Sequence, residues 1–215
     1  MRRGTTPFSG TIALLLASGW ASGQYVSSDS YTRYELLAPE THQFKIYYEV
    51  TETQPNARFH FNPIREGSDA SDESVLDAAS GKPLKFEVVT GAQAKSDAPG
   101  QNLNAAGKYI KVHLAHPVPE RGEYRLIIIK TYKDEKSYYA EGDSIVFKRP
   151  LGVPRNSVVL PAGYEIASCS VATQVIPEKD GRLKLAFVNT GSGGPLDVTI
   201  RAKKIAAAKK PEVSR

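Results

Sequence analysis

The chain has 215 residues, 40% hydrophobic and 24% charged, with 17 Gly and 14 Pro; this suits one ordinary domain or two small ones and excludes a collagen-like, low-complexity or wholly disordered polypeptide. Cys169, Trp20 and Met1 are each the single residue of their kind, so no disulfide closes within the chain and no cysteine-based zinc site can be built. Of the formal charge of +5, residues 1–23 carry +2 and residues 201–215 carry +5, leaving a body at −2 with 20 basic and 22 acidic side chains interspersed, without the clustered positive face that a nucleic acid needs.

The chain opens Met-Arg-Arg, continues through an apolar run around Phe8 and Ile12 to Ala17, and reaches small residues at Gly19, Ala21 and Gly23. A positive start, an apolar stretch far below the roughly 20 residues of a membrane span, and a small-residue cleavage site predict a signal peptide over residues 1–23. Cleavage is expected after Ala21 or Gly23. No cysteine follows for lipid attachment, and no later segment is apolar enough to span a bilayer. The expected product is secreted or periplasmic, with no transmembrane segment after signal cleavage.

Beyond the signal, apolar residues recur with period two, the mark of strands with one buried face. From His42 to Thr51, Phe44, Ile46, Tyr48 and Val50 point one way and Lys45, Tyr47, Glu49 and Thr51 the other. Phe59 and Phe61, then Leu84, Phe86 and Val88, then Ile110, Val112 and Leu114 repeat the pattern. Leu126 to Ile129 is apolar on both faces and reads as a central strand covered on both sides. These segments predict a first β-sandwich lobe over residues 24–133, with residues 92–107 as its longest loop. A charged connection follows over residues 134–143. Shorter strands over residues 144–205, separated by Pro150, Pro154, Pro161, Lys179-Asp180-Gly181 and the glycines around position 193, predict a second lobe, a β-meander packed on the first. Residues 206–215 read as a disordered basic tail. The predicted fold class is all-β, an antiparallel β-sandwich-like architecture in two packed lobes.

Candidate chemistry is sparse. The stretch from Gly67 to Asp77 gathers Asp69, Asp72, Glu73 and Asp77 on an expected loop, the oxygen-rich setting a hard cation such as calcium uses; a solvated acidic turn explains the same letters. His113 and His116 stand three apart, which on a strand sends the rings to opposite faces; His42 and His60 are isolated. Cys169 shares a strand face with Ala167 and Val171, the setting of a small buried hydrophobe. Gly191, Gly193 and Gly194 precede Pro195 and a strand, so they make a hairpin turn and no phosphate loop. No catalytic residue and no cofactor is expected. Eleven tyrosines against seven phenylalanines, with the pairs Tyr47-Tyr48 and Tyr138-Tyr139, put at least one ring of each pair outward. That makes Tyr47, Tyr138 and Tyr139 candidates for contact with a protein partner.

The run from Tyr34-Glu35-Leu36-Leu37-Ala38-Pro39 to Phe44-Lys45-Ile46, with Val112-His113-Leu114 and Gly122-Glu123-Tyr124-Arg125-Leu126, resembles the N-terminal β-domain of zinc aminopeptidases of the aminopeptidase-N and glycyl-aminopeptidase kinds, over residues 34–133. The resemblance implies a β-domain that flanks and shapes a peptidase cleft. Those families hold zinc on a separate helical domain through H-E-x-x-H and a downstream glutamate, a pattern this sequence lacks, so no catalytic residue carries over. The functional expectation is a non-catalytic exported β-sandwich protein mediating protein–protein interaction or envelope assembly. The alternatives are a hydrolase or metal-dependent enzyme with a scattered site, and a carbohydrate-binding module.

Overall fold

The computed structural model describes residues 29–66, 69–190 and 194–205; the expected signal peptide, Gly191, Gly193 and the basic tail lie outside them. Among these residues fourteen strands and one short α-helix follow in chain order, with a 3-10 turn at Pro39–Thr41 between the first two strands. They are β1 (Ser30–Leu36), β2 (Gln43–Glu52), β3 (Phe59–Ile64), β4 (Asp69–Asp77), β5 (Phe86–Thr90), α1 (Gly91–Asp97), β6 (Lys108–His113), β7 (Tyr124–Lys133) and β8 (Tyr138–Glu141), then β9 (Ser144–Leu151), β10 (Arg155–Val159), β11 (Tyr164–Cys169), β12 (Gln174–Pro177), β13 (Leu183–Val188) and β14 (Leu196–Lys204). No helix among the described residues is long and apolar enough to cross a membrane.

A seven-stranded sheet in the order β12-β13-β10-β1-β2-β7-β4 forms one layer. Its inner face is covered by two smaller sheets, β11-β14-β9-β8 and β3-β6-β5. Alternation decides what faces inward. Tyr34, Phe44, Ile46, Val158 and Leu185 of the large sheet meet Ile145, Phe147, Val198 and Ile200 of the four-stranded one. Farther along the same strands, Val50, Val75, Leu126 and Ile128 meet Ile110 and Val112 of the three-stranded one. The all-β sandwich expected from the sequence is the architecture formed.

The chain crosses between layers more than a pair of sequential lobes would. β10 pairs parallel with β1, Tyr31 opposite Arg155 and Glu35 opposite Val159, and β13 and β12 extend that same sheet. Strands of residues 144–205 therefore supply three of the seven strands, and only β9, β11 and β14 of that segment face them from the opposing sheet. The second segment is no self-contained meander, since roughly sixty residues bury too little surface to close a core alone.

Three stretches read as irregular are ordered. Residues 138–141, within the expected charged connection, form β8 and pair with β9 from Tyr138 opposite Phe147 to Glu141 opposite Ser144. The acidic stretch is the edge strand β4, paired with β7. The long loop begins as α1, whose first turn is capped where the Thr90 hydroxyl accepts from the Gln93 N–H at 3.3 Å. Seven residues are too few to show a helical period. Gly91 opens this helix against the loop it supports: its N–H donates to the Gly107 carbonyl at 2.7 Å, and a Cβ there would stand 2.8 Å from the Ala105 backbone and press on the Asn104 carbonyl. Gly91→Ala is expected to cost about 1–3 kcal/mol by overpacking backbone that cannot yield, read as a lower urea midpoint at unchanged m-value.

Leu126 to Ile129 is covered on one face only. Leu126 and Ile128 are fully buried, whereas Ile127 and Ile129 are half-buried on the outer face, because both smaller sheets pack on the same side.

Candidate functional site

Along β7 the inward positions are Tyr124, Leu126, Ile128, Lys130 and Tyr132, so strand parity carries a lysine into the core where the two smaller sheets meet. β9 does the same with Arg149, two residues from Phe147 and Leu151. Both are almost wholly enclosed, Lys130 at 5% and Arg149 at 6% exposure. Buried charge is costly unless paired and hydrogen-bonded, and the two cations are treated differently.

Arg149 is well partnered. Its Nη1 donates to Asp134 Oδ2 at 3.0 Å and to Ser137 Oγ at 3.3 Å. Its guanidinium carbon lies 5.2, 5.6 and 5.9 Å from the ring centres of Phe44, Tyr132 and Tyr34, an aromatic cage that stabilises a desolvated cation. Asp134, itself 9% exposed, also accepts from the Ser137 hydroxyl at 2.7 Å and the Ser137 N–H at 3.1 Å. Burial alone would raise its pKa; the Ser137 hydrogen bonds and the Arg149 charge outweigh it and hold the carboxyl below its usual value.

Lys130 is poorly partnered. Its Nζ donates to Asn62 Oδ1 at 2.7 Å and lies 4.9 Å from the Tyr132 ring centre. Burial, helped by the Arg149 charge and opposed by Glu73, brings its pKa down to about 8. The edge strand bulges opposite this lysine: β4 shifts register between Ser71 and Ser74, so Asp72 and Glu73 together oppose Lys130, with Asp72 at φ 53°. A cleft of about 740 Å³ opens beside the bulge, lined by Arg65, Glu73, Val88, Lys108 and Tyr109 among others. The Arg65 N–H donates to the Tyr132 hydroxyl at 3.3 Å. A smaller cleft of about 360 Å³ lies at the other end of the three-stranded sheet, lined by Arg58, Phe59, Phe61 and Asp97. Near it Lys111 donates to Asp97 at 2.8 Å over the Phe59 ring, and that hydrogen bond raises its pKa.

The residues singled out from the sequence do not converge. Asp69 and Asp77 are the two ends of a nine-residue strand, roughly 25 Å apart at 3.3 Å per residue, so the acidic stretch cannot wrap one ion as a loop would. Asp72 is exposed on the bulge and Glu73 faces the cleft. Asp77 is bound locally: hydrogen bonds from Tyr124 and then Ser80 lower it to about 2, while burial and the same Asp77 contact raise Tyr124 to about 12. Ser80 N–H and Oγ both lie 2.7 Å from its Oδ1. Among the described residues no three His, Cys, Asp or Glu side chains are placed to hold a metal ion.

His60 pairs with Glu52 at 2.9 Å, His113 with Glu87 at 3.1 Å, His42 Nδ1 lies 3.0 Å from the Tyr138 carbonyl, and His116 Nδ1 lies 3.0 Å from the Pro117 carbonyl. Tyr138 is a correction. The ring is fully buried and its hydroxyl donates to the Leu37 carbonyl at 2.8 Å, so it is core; its pair partner Tyr139 is the half-exposed one, as is Tyr47. Cys169 is half-buried on the edge strand β11 and packs on the core margin.

The outer face of the large sheet divides in two. Toward β12 it carries an ion lattice, Arg33 to Glu35 at 2.7 Å, Arg33 to Glu178 at 3.1 Å, Lys184 to Glu178 at 3.1 Å and Arg182 to Glu35 at 3.6 Å. Toward β4 the register brings half-buried Tyr47 beside Ile129, and Leu76 beside Ile127.

The three sheets define an all-β sandwich. In three dimensions the chain is similar to an M1 zinc metallopeptidase from Deinococcus radiodurans, at 12% identity over 82% of this chain and 42% of that one, with a TM-score of 0.49. It is similar also to an aminopeptidase N family protein from Idiomarina loihiensis, at 9% identity over 81% and 29% of the two chains, TM-score 0.46. A two-domain M1 zinc metallopeptidase bound to L-tryptophan gives 13% identity over 83% and 43%, TM-score 0.48. The chain thus spans less than half the length of each. These likenesses are to the same kind of peptidase that the sequence resembles, and no residue role passes across them. No protein-family model and no curated protein matches the chain.

Proposed function

We propose that this chain is a non-catalytic, exported β-sandwich protein that works by protein–protein interaction, with the half-exposed patch of Tyr47, Leu76, Ile127 and Ile129 as its contact surface. The supporting observation is the one-sided cover of the large sheet: both smaller sheets pack on its inner face, and Ile127 and Ile129 stand half-buried on the other. Apolar rows on a sheet face rimmed by charge, here Arg125 and Glu49 joined at 3.4 Å, suit a partner that presents apolar and aromatic side chains over a polar rim. The test compares wild type with Ile129→Glu in cross-linking within the native envelope fraction. One partner captured by wild type and lost in the variant, at unchanged thermal stability, supports the reading. Identical capture by both, or none by either, overturns it.

A further inference from the structure

We propose that Lys130 is a carbamylation site, its side-chain amine taking up carbon dioxide to give a carbamate held between the sheets. A lysine ammonium has three N–H donors, yet in this 5% exposed position its one hydrogen bond among the described residues goes to Asn62 Oδ1. The charged groups that bear on it from the packed elements are the Arg149 guanidinium of β9, against the same Tyr132 ring, and the Glu73 carboxylate of the β4 bulge. A second cation beside an under-partnered one favours the uncharged amine, and an uncharged amine is a nucleophile.

The reaction balances without a redox partner. The nitrogen lone pair forms the N–C bond, one C=O π pair moves onto oxygen, and the nitrogen releases one proton, turning R–NH2 and CO2 into R–NH–COO⁻ and H⁺. The product reverses the local electrostatics. Arg149, which opposes an ammonium at Lys130, becomes the partner of an anion there, and the Asn62 amide can turn its N–H2 toward the new carboxylate. The cleft at the bulge opens on the neighbours of Lys130 and not on its amine. Glu73 lines it and bears on Lys130, Pro63 lines it next to Asn62, and Arg65 lines it while its N–H holds the Tyr132 hydroxyl. Carbon dioxide is small and uncharged, so it enters without the desolvation cost that bars bicarbonate.

The experiment uses the folded chain in 13C-bicarbonate buffer with 13C NMR, followed by chemical trapping of carbamates as esters and peptide mapping. A carbamate resonance in wild type, absent from Lys130→Met, and trapped label on the Lys130 peptide far above its level on exposed lysines, is the expected result. No resonance in wild type, or label spread evenly over surface lysines, overturns the proposal. Should Lys130→Met fail to fold, the trapping result on wild type decides alone.

Discussion

Replacing Asp134 by alanine is expected to lower stability by about 3–5 kcal/mol, the cost of leaving a buried cation without its counter-charge. Arg149 cannot escape to water, since β9 holds its backbone inward and three rings enclose its guanidinium. Chemical denaturation at neutral pH reads the loss. Asp134→Ala/Arg149→Met separates the causes: if the damage comes from the orphaned charge, the double variant recovers most of it, because an apolar side chain of similar volume fits the same cage. If the double variant is no better than the single, the carboxylate acts chiefly through the turn it makes with Ser137. The sign of the acid dependence follows from the depressed carboxyl. Its stabilisation is present above the ordinary carboxylate range and is lost as pH falls through the lowered folded value.

Lys130 produces the second large effect, at alkaline pH. Its folded value of about 8 lies below the ordinary lysine value of 10.5, so the unfolded chain binds the extra proton and unfolding becomes harder as pH rises between the two. In carbonate-free buffer, stability is expected to rise by about 2 kcal/mol from about pH 7.5 to about pH 9.5, out of roughly 3 kcal/mol over the whole window. Above the ordinary tyrosine range the trend reverses, because Tyr34, Tyr48, Tyr132 and Tyr138 are all raised by burial and stay protonated longer in the folded state. Lys130→Met removes the rise while keeping the reversal. A wild-type curve that is flat over this range contradicts the buried-lysine account.

Much of the fold is legible in the sequence, and the exceptions share a cause. β2, β6, β7 and β13 announce themselves because apolar residues dominate every second, inward position. β1 and β4 hide because they offer little of that contrast. β1 turns Ser30 and Thr32 inward ahead of Tyr34 and Leu36, and β4 has two large apolar residues, Val75 and Leu76, in nine, with a bulge that breaks the period. The parallel pairing of β1 with β10 has no local signal, since it depends on which edge remains free after β1 pairs with β2.

The candidate site follows a different logic. Lys130 and Arg149 each sit two positions from inward apolar residues, at Ile128 and Tyr132 and at Phe147 and Leu151. A cation at core parity is a readable anomaly, but a single letter is less conspicuous than a cluster of like residues. The acidic stretch is conspicuous because its letters are dense, but a strand spreads along a line what a loop would gather.

The central position of β1 has a consequence for how the molecule is made. Tyr31, whose hydroxyl lies 2.6 Å from that of Ser157, leaves the ribosome 126 residues ahead of it. At about 5–20 residues per second, the first strand waits roughly 6 to 25 s for the neighbour that completes its sheet. During that interval one margin of β1 is an open template for another chain. Maturation therefore favours a holding chaperone or delayed folding, and a tag or fusion crowded against Ser30 should damage assembly far more than one placed at the opposite terminus.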